Sequence, residues 1–122
     1  MLINLSNHPY AQWNEEQKRA SETFGDCVDL PFPSIDPDGD EEYIVRMAEE
    51  YYQKIVQFVE TEPNVKVTVH LMGEMTFLYA LLEKLKQNNI RCIASTTQRK
   101  GIDLGNGRKD IQFQFVRFRY YF

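Results

Sequence analysis

The sequence holds only two cysteines, two histidines and one tryptophan in 122 residues. Cys27 and Cys92 are too few for a disulfide scaffold or a cysteine-built metal site, so both are expected as free, apolar thiols. His8 and His70 are far apart and lack metal-ligand spacing, and neither a metal nor another cofactor is expected. No apolar run approaches the ~20 residues needed to cross a bilayer. The Met1–Leu5 segment enters a strand without the features of a signal peptide, which makes the cytoplasm the expected compartment. The phosphate-loop patterns GxxxxGKS/T and GxGxxG are both missing.

What is present describes an ordinary folded domain. Hydrophobic residues make up 43% and charged residues 26%, so residues 1–122 are read as one domain with a single core. Seven Tyr and eight Phe point to an aromatic core or interface. The net charge of −4 is unevenly spread. Residues 1–97 carry 8 Lys/Arg against 16 Asp/Glu, whereas residues 98–122 carry 6 against 2. An acidic body argues against duplex DNA as a partner. The basic C-terminal quarter suits a small polyanion or a solvated hairpin.

The chain is organised around Lys66–Phe77. Val67, Val69 and Leu71 alternate with Lys66, Thr68 and His70, as in a strand, and Gly73 then leads into a helix marked by Leu78, Leu81, Leu82 and Leu85. Before it come a first strand at Leu2–Ser6, a helix capped by Asn14 and stopped at Gly25, and a second strand at Cys27–Leu30. A second helix carries the stripe Ile44, Met47, Ala48, Tyr51, Ile55, Phe58 and Val59, with Asp40, Glu41 and Glu42 at its start. Ile90–Ala94 is a fourth strand, with Ser95–Arg99 expected as a loop after it. Asn106-Gly107 then marks a hairpin between Gly101–Leu104 and Lys109–Tyr121. Ile111, Phe113 and Phe115 share one parity and Val116, Phe118 and Tyr120 the other, which predicts a bulge or a doubly buried strand at Phe115–Val116. The alternation predicts a three-layer α/β, Rossmann-like domain with a mostly parallel sheet in the order 2-1-3-4 and the antiparallel hairpin at one edge.

In that order the winding reverses between strands one and three, where ligands bind beyond the carboxyl ends. Three segments are expected there: Ser6–Tyr10, Gly73–Thr76 and Ser95–Arg99. Their backbone amides and short hydroxyl side chains suit a phosphate or phosphodiester, and Arg99 adds a charged contact. His8 is the imidazole of these loops and the candidate general acid or base. His70 reads as a core or subsite residue. Glu74 reads first as a helix cap, and otherwise as a contact to a ribose hydroxyl or a stabiliser of an oxocarbenium ion in N-glycoside cleavage.

The Leu5–Pro9 segment LSNHP, the glycine ending the third strand and the Ser/Thr run after the fourth resemble those of small CRISPR-associated Rossmann-like proteins, related to CARF domains that bind cyclic oligoadenylates. Several stand-alone members of that group are ring nucleases. The resemblance implies a homodimer with the ring across its two-fold axis, and metal-independent cleavage by an in-line ribose 2′-hydroxyl. It implies ligand contacts at Ser6, Asn7, His8, Gly73, Thr76, Ser95, Thr96 and Arg99. Alternatives are a non-catalytic sensor of the same ring, a nucleoside N-glycosidase or deoxyribosyltransferase-like enzyme using Glu74, and an RNA-binding module using Arg117, Arg119 and the aromatic hairpin. In the tail, core packing is expected for the one-parity phenylalanines, with adenine stacking or a dimer surface as the other role.

Overall fold

A computed structural model describes residues 1–122 as an α/β fold on one five-stranded mixed sheet. The elements are β1 (Leu2–Leu5), α1 (Glu15–Ser21), β2 (Cys27–Asp29), α2 (Glu41–Thr61), β3 (Thr68–Leu71), α3 (Met75–Gln87), β4 (Arg91–Gly105) and β5 (Arg108–Tyr120). The sheet order is β2-β1-β3-β4-β5. The first four strands in that order pair in parallel, and β5 pairs antiparallel with β4 at the edge. No helix is long and apolar enough to cross a membrane.

Local signals set the helix ends. The Asn14 side chain accepts from the Gln17 N–H at 2.8 Å, and Asp40 accepts from the Tyr43 N–H at 2.9 Å, so each satisfies a donor the helix leaves unpaired. After α1 a short 3-10 turn, Glu22–Phe24, ends at Gly25, whose φ of +91° favours glycine. The stripe along α2 buries Ala48, Tyr51 and Ile55 against Phe77, Leu81 and Leu85 of α3. The Lys84–Glu49 ion pair, 2.7 Å apart, joins the two helices at the rim.

The sheet is covered on both faces. Ile3, Leu5, Val69, Leu71 and Cys92 face the core under α2 and α3. Leu2 and Ile93 join Trp13 in a smaller core on the α1 face, extended by Phe24 and Phe118. Fully burying a large apolar side chain of this kind stabilises by roughly 1.5–3 kcal/mol. Every residue of β1 and β3 is buried, so Thr68 and His70 are as sequestered as Val69 and Leu71. The sheet buries both faces, as parallel strands do.

The tail departs further from expectation. Ser95–Arg99 is not a loop, because β4 continues unbroken from Arg91 to Gly105 and pairs with β5 from Ile93 onward. The parallel sheet ends near Ala94, but pairing to β5 supplies new partners for the next ten residues. Asn106 and Gly107, at φ +51° and +74°, make the turn. The bulge is present: Thr96 pairs with Arg117 while Thr97 pairs with Phe115, leaving Val116 as the extra residue. Of the aromatics, Phe115 and Phe118 pack inward, but Phe113 is 68% exposed, so core packing does not extend to it. Tyr121 is pinned by its hydroxyl, which donates to the Leu71 carbonyl at 2.6 Å.

Candidate functional site

On the α1 face, the buried row turns polar toward the carboxyl ends of the strands. Leu2 and Thr68 give way to Asn4 and His70 one pleat further on, and Ser95 follows Ile93 on β4. A crevice of about 580 Å³ opens here, within the usual ~300–1,000 Å³ of small-ligand sites. Ser6, Asn7 and His8 line it after β1, Met72 and Gly73 after β3, and Ser95 and Thr97 from β4. Gln12, Trp13 and Gln17 close it from the α1 side, and Phe113 from the hairpin. The crevice therefore lies where the strand order reverses between β1 and β3.

Behind it runs a hydrogen-bonded chain. The Asn4 Nδ2 group donates to the His8 carbonyl at 2.8 Å and to Asp29 Oδ1 at 2.9 Å. Both partners only accept, which fixes the amide orientation and leaves Asn4 Oδ1 as an acceptor. That oxygen receives the Ser6 hydroxyl at 2.8 Å and faces His70 Nδ1 at 2.9 Å. His70 Nδ1 must then carry the proton, so Nε2 is bare and accepts from the Ser95 hydroxyl at 2.6 Å. Gln17 Nε2 donates to the same Ser95 oxygen at 3.1 Å. Trp13 stands edge-on to His70 with centroids 5.1 Å apart, and its Nε1–H donates to the His8 carbonyl at 3.0 Å. No buried side-chain nitrogen or oxygen lacks a partner.

Burial of His70, and secondarily the nearby His8, push its pKa down to about 4. At neutral pH its ring is uncharged. Burial also pushes the Cys27 and Cys92 thiols up, to about 11 and about 12, so neither is a ready thiolate.

Five of the sequence candidates, Ser6, Asn7, His8, Gly73 and Ser95, line one crevice, while Glu74, Thr76, Thr96 and Arg99 do not. Glu74 caps α3: its carboxylate accepts from the Thr76 hydroxyl and from the Thr76 and Phe77 N–H groups at 3.1 and 2.8 Å. The anion position expected at that helix start is therefore filled by the chain's own carboxylate, whose pKa the Thr76 hydroxyl, then these N–H groups, hold low. Both oxygens being engaged on α3, Glu74 is not placed for N-glycoside chemistry in the crevice. Gly73 serves close packing, since a Cβ there would run into the Phe32 ring. Thr96 lies on the opposite face of β4 from Ser95 and exchanges hydrogen bonds with the Arg117 backbone. Arg99 shares the strand face of Ser95 and Thr97 but stands further out, exposed and paired with Phe113.

Sequence reasoning missed Asn4, Gln12, Trp13, Gln17, Met72, Thr97 and Phe113, and left His70 without a partner. Asn4, a polar residue inside the apolar run Leu2–Leu5, was the available signal. No three His, Cys, Asp or Glu side chains gather as a metal site. The chain belongs to the uncharacterized protein MJ1673 family, which it matches over residues 1–119. No curated protein and no solved structure matches it.

Proposed function

We propose that this member of the MJ1673 family is a CARF-like, Rossmann-like domain that binds a cyclic oligoadenylate and cleaves it without a metal, as a homodimer. The observation that carries the reading is the convergence of Ser6, Asn7, His8, Gly73 and Ser95 on one crevice at the strand-order reversal. The site offers hydroxyl and amide groups for phosphodiester oxygens and base edges, and Phe113 presents an exposed ring for stacking. A two-fold ring meets each of these groups twice when two copies are paired about an axis. With α3 capped by Glu74, His8 in the crevice lining offers a ring nitrogen to the phosphate, and Arg99, exposed further out on the same face of β4, is the cation that this reading draws on.

The test is incubation of the purified protein with cyclic tetra- and hexa-adenylate in EDTA. Saturable binding and a linear product are expected, and neither binding nor product would overturn the reading. A sensor that binds without turnover is the second reading, favoured by a polar network in which no buried side-chain nitrogen or oxygen is left without a partner. It expects saturable binding with no linear product.

A further inference from the structure

We propose that Ser95 is a nucleophile, with His70 as its base and Asn4 as the positioning residue, and that it forms a transient ester to phosphorus. The substrate class rests on the reading above; the nucleophile rests on geometry alone. Three neighbouring strands supply the three groups on one face: Asn4 from β1, His70 from β3 and Ser95 from β4. The bond sequence leaves one consistent proton assignment, from Ser95 Oγ–H to His70 Nε2 and from His70 Nδ1–H to Asn4 Oδ1. This is the nucleophile–base–orienter logic of serine and cysteine hydrolases, with an amide as the third member. Asp29 stands one bond behind, holding the Asn4 amide.

Access separates the roles. His70 is 2% exposed, and its Nε2 is covered by Ser95. A substrate in the crevice meets the Ser95 hydroxyl, and the imidazole acts through it. Of the two Ser95 lone pairs, one accepts from Gln17 and the other is left for attack. The backbone N–H groups of Asn7 and Gly73, both in the crevice lining, make no hydrogen bond within the chain and are the donors left for an oxyanion.

In the first step the Ser95 Oγ–P bond forms and the bond from phosphorus to the ribose 5′-oxygen breaks. The Ser95 proton passes to His70 Nε2, while the departing oxygen, in line on the far side of phosphorus, takes a proton from solvent water and leaves hydroxide. Hydroxide then attacks phosphorus, and the Oγ–P bond breaks as Ser95 takes its proton back from His70 Nε2. The product ends in a 3′-phosphate, whereas attack by a ribose 2′-hydroxyl leaves a 2′,3′-cyclic phosphate. Burial, and secondarily the nearby His8, make His70 a weak base, so a slow reaction is expected.

An alkyl fluorophosphonate tests the nucleophile without a known substrate: Oγ–P forms, P–F breaks and fluoride leaves. Peptide mass spectrometry of the full chain treated at pH 7 is expected to find one adduct, on Ser95. It should vanish in Ser95→Ala and slow at least tenfold in His70→Asn of verified fold. No Ser95 adduct on the folded wild-type chain overturns the proposal, as does an adduct whose rate is unchanged in His70→Asn. Labelling of Ser95 in a protein that neither binds nor cleaves cyclic oligoadenylate would support the nucleophile and reject the substrate class. Cleavage to a 2′,3′-cyclic phosphate without labelling would do the reverse.

Discussion

The Glu74 carboxylate reaches over the first turn of its own helix to accept the Phe77 N–H at 2.8 Å. Two further contacts, from the Thr76 N–H and hydroxyl, complete the cap. Replacing Glu74 by Ala strips acceptors from orphan donors, and losing an N-cap contact of this kind costs about 1 kcal/mol. Calorimetry should show Glu74→Ala melting a few degrees below wild type at pH 7. Glu74 titrates low when folded, so its contribution is present above the ordinary carboxylate range and fades as pH falls through it. The gap between wild type and variant should therefore narrow in acid.

Acid should weaken the fold through His70 as well. Its pKa drops from 6.5 unfolded to about 4 folded, so between those values the unfolded chain binds more protons. Stability is then complete above pH 6.5 and lost progressively as pH falls toward 4. The full swing is about 3 kcal/mol by linkage. Urea titrations at pH 7, 5.5 and 4 should show midpoints falling in that order, and a His70→Asn variant should lack this component of the fall.

A methyl group at Gly73 should be costly for reasons of space. Its backbone lies against the Phe32 ring, which in turn packs edge-on to Phe77 at 5.3 Å. Gly73→Ala forces that ring to move, an overpacking cost of about 1–3 kcal/mol. Phe32→Leu in the same chain should recover part of the loss, and a double-mutant cycle by urea denaturation would show the coupling. Two independent additive losses would mean the ring is not the obstacle.

Much of the frame was legible in the sequence because it is written in short-range patterns. Asn14, Gly25, Asp40 and Asn106-Gly107 each act on backbone within a few residues, and each lies where the local rule puts it. The parallel order followed from strand–helix–strand alternation. The end of β4 was not legible, because Ser95–Arg99 is held extended by β5, whose paired residues lie some 14 to 23 positions later. The polar row was hidden similarly. Asn4 and His70 are 66 positions apart and acquire meaning only when β1 and β3 pair in register. Glu74, read correctly as a cap, also removes the helix-end anion site that Gly73 suggested.

Deleting Val116 tests whether the bulge sets which aromatics reach the α1 face. Val116 is 56% exposed and is the residue without a partner on β4. Its side chain contributes little, so Val116→Ala should shift stability by less than about 0.5 kcal/mol. Its backbone is another matter. Without it, either Arg117–Tyr120 shifts by one and turns every side chain over, or the hairpin slips against its turn. In the first case Phe118 leaves Trp13, His70 and Phe115, now 5.9, 5.6 and 5.0 Å away between ring centroids. Phe118 is half-buried, so losing its contacts costs part of the about 3–5 kcal/mol that a fully buried phenylalanine contributes, still a large share of a small domain's stability. In the second, the Gly105–Arg108 closure that places Asn106 and Gly107 at positive φ is broken. Trp13 is the single tryptophan and touches Phe118, so its fluorescence reports the outcome. A red-shifted emission and a broadened urea transition in the deletion, beside a wild-type profile in Val116→Ala, is the expected pair of results. A deletion that kept the native emission and midpoint would show that the strand tolerates either register and that the bulge does not place Phe118.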